Sequence, residues 1–133
     1  MKYFDELIES KIVKINASNE TKKIEIEITK NNGKLRYLIS ATGVYDVLIE
    51  GFRLNNIIEI LLDHSKMDNA NALSKLQLMM VGEENYVKGR FPHVDEKSKE
   101  IQNGVLQFWE IQPIYGASVL IASKQISLHL IDG

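Results

Sequence analysis

The sequence contains no cysteine. Disulfides, cysteine-ligated zinc, iron–sulfur clusters and thiol catalysis are therefore excluded by composition. This absence fits a reducing compartment, because disulfides persist mainly in oxidising ones. Proline is also scarce, with two residues in the chain, and the eight glycines are scattered singly, so no long flexible linker is expected.

Long hydrophobic runs are absent as well. The longest are four residues, Leu78–Val81 and Val119–Ala122, whereas a helix that spans a bilayer needs roughly 20 apolar residues. Residues 1–11 lack the apolar core of a signal peptide. We therefore expect no membrane association and a cytoplasmic location.

An excess of positive charge is missing too. Sixteen basic residues stand against eighteen acidic ones, giving a net charge of −2, and affinity for phosphate backbones comes mainly from lysine and arginine. The stretch 86–99 mixes lysines and an arginine with aromatics, a pattern found in single-strand binders. Asp95 and Glu96 interrupt it, so a solvated loop of mixed charge is favoured and nucleic acid is an unlikely partner.

What the chain does have is enough material for one domain. Its 133 residues are 44% hydrophobic and 26% charged, which are ordinary values for a globular protein. Residues 1–133 are therefore interpreted as a single domain with its own core.

Several segments have the composition of strands. In Lys22–Thr29, three isoleucines alternate with two glutamates, which is the period of a half-buried strand. Asn31-Asn32-Gly33 then supplies the residues that tight hairpin turns require, and the alternation resumes over 35–39. The other predicted strands are Lys11–Ile15, Val44–Ile49, Ile57–Leu62, Val105–Ile111, Ser118–Ser123 and Gln125–Ile131. Helix is the alternative for Ile57–Leu62.

One main helix is predicted over Asp68–Val81. Its apolar residues recur at spacings of three and four, Asp68 is a plausible N-cap, and Gly82 follows as a left-handed C-cap. A short helix or helical turn is expected over residues 2–10, and a further helical turn around Asp95–Ile101. The fold class is therefore α+β: a mostly antiparallel, curved sheet or open barrel of about six to seven strands, with the helix 68–81 inserted.

No motif for chemistry is present. The sequence lacks both glycine-rich phosphate-binding patterns and the G-x-S-x-G of a nucleophile elbow. His64 and His93 each have a carboxylate within two residues, yet the spacing matches no zinc motif, and a solvated loop position is favoured for both. We therefore predict no catalytic residue, cofactor or metal, and an enzyme is less expected than a binding protein.

The aromatic residues offer the best contact candidates. Trp109 and Phe108 face opposite sides if 105–111 is a strand, so Trp109 lies either at an interface or in the core. Tryptophan, tyrosine and arginine are the commonest anchors at protein interfaces. The predicted contact residues are Trp109, Tyr115, Phe91 and Arg90.

Three functional hypotheses follow. The first is a small protein-binding module, for example an immunity- or antitoxin-like protein, because the chain is small, slightly acidic and rich in strands. The second is a small-ligand binder or enzyme with a pocket inside the curved sheet. Its lining is predicted as Tyr37, Tyr45, Trp109 and His129. The third is a homodimer that pairs the terminal strand, Gln125–Ile131, as a sheet edge.

Overall fold

The structure is a computed structural model that describes residues 2–132. Seven strands and two α-helices are present in this range, together with one 3-10 turn at Asp5–Leu7. In chain order they are β1 (Lys2–Phe4), β2 (Lys11–Ser18), β3 (Lys23–Lys30), β4 (Leu35–Glu50), β5 (Ile57–Asp63), α1 (Ala70–Val81), α2 (Pro92–Gln102), β6 (Gln107–Tyr115) and β7 (Ser118–Asp132). The predicted α+β class is confirmed.

All strand pairings are antiparallel, and the sheet curves into a ring. Its order is β1-β5-β2-β3-β4-β7-β6, and a further pairing of β5 with β6 closes the ring. Closure is thin on one side, because β2 meets β5 at a single pair, Lys11 with Ile57. The ring is therefore an irregular one, with β1 added outside it on β5.

The two longest strands, β4 and β7, each cover two segments that were predicted as separate strands. The segments predicted as separate strands at 35–39 and 44–49 form one strand of sixteen residues. Likewise, Ser118–Ser123 and Gln125–Ile131 belong to one strand of fifteen. The prediction of breaks was wrong because a bend can be absorbed without ending the ladder: Gly43 takes φ +67°, and a bulge shifts the register between Val44 and Asp46.

The hairpin of β3 and β4 is confirmed. Asn31, Asn32 and Gly33 have φ of +55°, +57° and +84° in the connecting turn, as the asparagine-glycine composition predicts. The three isoleucines of β3 face the ring interior and are at most 3% exposed. The preferred strand at 57–62 is also confirmed, as β5.

Two hydrophobic clusters lie on opposite faces of the sheet. The first fills the ring interior and contains fifteen buried residues. The second lies between the outer face and the helices, where Phe108, Leu120 and Ala122 from the sheet meet Leu76 from α1 and Val94 from α2. The interior is therefore packed with side chains.

The helices differ in detail from their prediction. α1 begins at Ala70 rather than Asp68, and Asn69 caps it by accepting a hydrogen bond from the Ala72 amide at 2.9 Å. Gly82 is left-handed at φ +80°, as expected. α2 is eleven residues long rather than a turn, since Pro92 starts it favourably.

The predicted N-terminal helical segment is a single turn rather than a helix. Residues Lys2–Phe4 pair with β5 as a strand, and only Asp5–Leu7 forms a 3-10 turn. No helix in the described part of the chain is long and apolar enough to cross a membrane.

Candidate interaction surface

Trp109 belongs to the core. It is 5% exposed, sits in the interior cluster and contacts the Phe4 ring at 5.0 Å between centroids. Trp109 is therefore buried rather than exposed, because the inner face of β6 is covered by the opposite side of the ring. Of the two alternatives that the sequence left open for Trp109, interface or core, the structure shows the core.

Phe91 and Arg90 lie together at the start of α2. The Arg90 guanidinium stands 5.2 Å from the centre of the Phe91 ring and pairs with Glu83 at 2.9 Å. Phe91 itself is half-buried against the helix-side cluster. Both residues are therefore already engaged within the chain, although Arg90 remains exposed.

The loop before α2 is held by Asp95. Its carboxylate accepts hydrogen bonds from the Tyr86 hydroxyl at 2.5 Å and from the Gly89 amide at 2.9 Å. These two donors hold the pKa of Asp95 below its usual value, and the same contact raises the pKa of Tyr86 to about 12. The stretch proposed as a nucleic-acid candidate is thus organised by internal bonds, with Lys97 paired to Glu100 at 2.7 Å.

Tyr115 lies elsewhere, at the end of β6. It is 49% exposed, and Arg53 from the β4–β5 loop covers it. The guanidinium carbon is 5.4 Å from the ring centre, and Nη1 donates to the tyrosine oxygen at 3.1 Å. We name the surface formed by residues 51–56 and 114–117 the apex.

Asn56 fixes the shape of the apex. Its side chain is almost fully buried, at 1% exposure. Oδ1 accepts from the amides of Arg53 at 2.9 Å and Ala117 at 3.0 Å, while Nδ2 donates to the Arg53 carbonyl at 2.6 Å. One asparagine therefore ties both segments of the apex through backbone groups.

Close backbone packing reinforces this arrangement. A Cβ on Gly116 would lie 2.4 Å from Asn56 Oδ1 and 2.7 Å from the Asn55 carbonyl oxygen. A Cβ on Gly51 would lie 3.0 Å from the Gly116 oxygen. Both glycines also have positive φ, +86° and +72°. Glycine is thus required twice for the two segments to approach so closely.

The apex presents large apolar side chains to solvent. Leu54 has a relative exposure of 102%, and Phe52 and Ile114 are 53% and 57% exposed. Single exposed apolar residues are common on protein surfaces, whereas large contiguous apolar patches are typical of interaction sites. With Tyr115 and Arg53, this surface contains the residue types that dominate binding energy.

Of the four predicted contact residues, the structure places Tyr115 in the apex, Arg90 and Phe91 beside α2, and Trp109 inside. The sequence prediction missed Phe52, Arg53, Leu54 and Ile114. Its only signal was the apolar-basic run Phe52-Arg53-Leu54 in a segment interpreted as a connection. Exposure in such a segment depends on how Asn56 folds it, which sequence spacing does not reveal.

A second polar feature is buried beneath α1. His64 Nε2 lies 2.7 Å from Glu110 Oε1, and Lys75 Nζ lies 3.8 Å from Glu110 Oε2. Lys75 also contacts Glu84 at 2.9 Å, and this bond raises the pKa of the lysine. The prediction of a solvated His64 was wrong, since its side chain is fully buried.

The His64–Glu110–Lys75 cluster contains acidic and basic side chains, but a substrate has no access to His64 and Glu110. His64 and Glu110 are 1% and 4% exposed, on the outer face of the sheet that α1 covers. Nδ1 of His64 has no hydrogen-bond partner among the described residues. We interpret the cluster as a buried link between β5, β6 and α1, because Glu110 contacts both His64 and Lys75.

The remaining histidines do not form a metal site with other described residues. His93 and His129 are exposed on α2 and β7. Within residues 2–132, no three histidine or carboxylate side chains are grouped so that they could hold a metal ion.

The predicted interior pocket does not form from its four residues. Trp109 is part of the interior cluster and Tyr37 packs against it, whereas Tyr45 is 46% exposed and His129 is exposed. These side chains therefore do not converge on one cavity.

In comparisons with known proteins, no family model, no curated protein and no solved structure matches this chain.

Proposed function

We propose that this chain is a non-catalytic protein-binding module that contacts its partner through the apex. The observation that carries the proposal is Leu54, a fully exposed leucine on a loop whose backbone is fixed by a buried asparagine. Burying a leucine side chain contributes about 1.5–3 kcal/mol, so a partner with an apolar pocket would gain directly from it.

The fixed shape of the loop strengthens this argument. Ordering flexible side chains and loops costs about 0.5–1.5 kcal/mol for each immobilised side chain on binding. The hydrogen bonds of Asn56 already hold the Arg53 backbone, and the Arg53 side chain already rests on Tyr115. The apex therefore meets a partner with part of that ordering cost removed.

The chemistry of the apex also indicates the kind of partner. Leu54, Phe52 and Ile114 favour an apolar cleft, and Arg53 has guanidinium N–H groups left after its one bond to Tyr115. We expect an apolar depression with a carboxylate at its edge. An immunity- or antitoxin-like role is one form of this proposal, in which the apex would cover the active site of a toxin.

Homodimerisation is a proposed addition carried by β7. Among the described residues, β6 pairs with β7 only from Val119 to Ser123, so the segment from Gln125 onward pairs with β4 alone. An edge of this kind can pair with a second copy. Light scattering across a concentration series tests the idea, and a constant monomer mass would refute it.

The apex is tested by capture from the native host with three baits: the wild type, Leu54→Asp and Val87→Asp. Val87 is a matched control because it is 57% exposed in another loop, next to the Arg90 and Phe91 candidates. We expect a partner that the wild type and Val87→Asp retain and Leu54→Asp loses. If Val87→Asp alone loses the partner, the surface beside α2 replaces the apex as the interface.

A further inference from the structure

A surface groove separates α2 from the bend in β4. It has a volume of about 360 Å³, and its lining includes Val44, Val105 and Leu106. Val105 is 56% exposed although it is a large apolar side chain. Specific small-ligand sites range over about 300–1,000 Å³ and are mostly apolar, so the groove has the size and lining of such a site.

Tyr45 forms one wall of the groove with Lys97. The lysine ammonium lies 3.9 Å from the centre of the tyrosine ring and 2.7 Å from Glu100 Oε2. This double contact fixes Lys97 at the rim, because a cation over an aromatic face is attracted by the ring quadrupole. Tyr45 remains 46% exposed, which leaves ring surface available for a flat apolar group.

Lys124 also lines the groove, where it lies against Gly43. A Cβ on Gly43 would lie 2.8 Å from Cδ and 3.0 Å from Cγ of Lys124. Because Gly43 has no side chain, the aliphatic part of Lys124 can occupy the space at the bend of β4. In residues 2–132, the structure gives the Lys124 ammonium no ion-pair partner.

The charge of the groove contrasts with that of the chain. Lys22, Lys97 and Lys124 line it, and Glu100 is the one acidic residue in its lining. Glu100 is already paired with Lys97. The whole chain has a net charge of −2. Positive charge is thus concentrated around an apolar floor, which complements a ligand with one anionic end.

We propose that this groove binds a small amphiphilic anion: a flat apolar body that lies on Val44 and Val105, with a carboxylate, sulfonate or phosphate between Lys22 and Lys124. Of the four residues predicted to line an interior pocket, this site includes only Tyr45. It is also distinct from the apex, since the two surfaces have no residue in common.

The test uses three probes with the same ring and different charge: naphthalene-1-sulfonate, 1-naphthalenemethanol and 1-naphthylmethylammonium. Binding to the full chain is followed by amide chemical shifts at low salt. We expect the sulfonate to bind with shifts centred on Gly43, Val44 and Val105, the alcohol to bind more weakly, and the ammonium not to bind there. Added salt should weaken the sulfonate, because exposed charges are screened.

Two variants identify the anion contacts. Lys22→Gln combined with Lys124→Gln should weaken sulfonate binding roughly fivefold or more, given the modest strength of exposed charge pairs. Lys34→Gln is the control, since Lys34 is an exposed lysine in the β3–β4 turn, outside the groove lining. Circular dichroism checks that each variant is folded.

Three results would overturn the proposal. They are an absence of shifts at millimolar sulfonate, equal binding of all three probes, and equal weakening by the double variant and Lys34→Gln. Binding of an acidic peptide at the same residues without binding of the sulfonate would likewise exclude a small-molecule ligand and indicate a peptide groove.

Discussion

Replacement of Asn56 by alanine tests how the apex is built. The substitution removes two hydrogen bonds that Oδ1 accepts and one that Nδ2 donates. Ala117 is 1% exposed, so its amide is left without a partner in a place that water reaches poorly. The change is therefore more than the loss of one exposed contact.

The expected cost follows from these three bonds. A net hydrogen bond contributes about 1 ± 0.5 kcal/mol, and a buried donor left unpaired costs about 1–3 kcal/mol. We expect Asn56→Ala to lower the free energy of unfolding by about 2–4 kcal/mol. That is a large share of the roughly 5–15 kcal/mol typical of a domain.

Urea denaturation measures this loss, with the single tryptophan as probe. Trp109 is the only tryptophan in the chain and is buried in the ring, so its fluorescence reports the core. Hydrogen exchange gives a local readout, since the amides of Arg53 and Ala117 should exchange faster in the variant. Asn55→Ala is the matched control, because Asn55 is exposed and its side chain makes no hydrogen bond in the described structure.

The control should stay within about 0.5 kcal/mol of the wild type, as ordinary surface substitutions do. Two results would contradict this prediction. One is a loss below about 0.5 kcal/mol in Asn56→Ala with unchanged exchange at both amides. The other is an equal loss in Asn55→Ala, which would mean that the loop tolerates neither change for reasons unrelated to the bonds of Asn56.

Three further predictions concern backbone packing, the buried pair and acid stability. In urea denaturation, Gly116→Ala should lower the free energy of unfolding by at least about 1 kcal/mol more than Gly104→Ala does. Both glycines have positive φ, but only Gly116 is crowded by backbone, so equal losses would contradict the close approach. Glu110→Ala should cost about 1–3 kcal/mol, because it leaves the buried His64 ring without its partner. Glu84→Ala, at an exposed position, should cost about 1 kcal/mol or less, and equal losses in the two variants would contradict this difference. Hydrogen bonds to the Asp95 carboxylate lower its pKa from 3.8. Its contribution to stability is therefore full above pH 3.8 and is lost as pH falls through the lowered pKa, so Asp95→Asn should flatten the decline in stability between about pH 5 and about pH 2. An unchanged slope would count against these bonds.

Local patterns in the sequence predict much of the fold. The alternation in β3, the asparagine-glycine turn and the C-cap Gly82 each depend on residues within one element, and all three are confirmed. The bounds of β4 were missed for a physical reason. Gly43 bends the strand while the ladder with β7 continues on both sides, and only the pairing partner shows that the strand persists.

The candidate site was harder to predict because its features are long-range. Asn56 and Ala117 are 61 positions apart, and His64 and Glu110 are 46 apart. No local spacing indicates that an asparagine in a connection will be buried, or that a histidine after a strand will meet a glutamate under a helix. Tyr115 was identified by residue type alone, which also selected the buried Trp109.

Isothermal titration calorimetry of the purified partner with Leu54→Asp and with Val87→Asp tests whether the apex is the binding surface. We expect Leu54→Asp to weaken binding by at least about 1.5 kcal/mol, or roughly tenfold, which is the lower end of what burying a leucine contributes. Val87→Asp should bind as the wild type does. Unchanged affinity in Leu54→Asp, with both variants folded, would contradict the assignment of the apex as the binding surface.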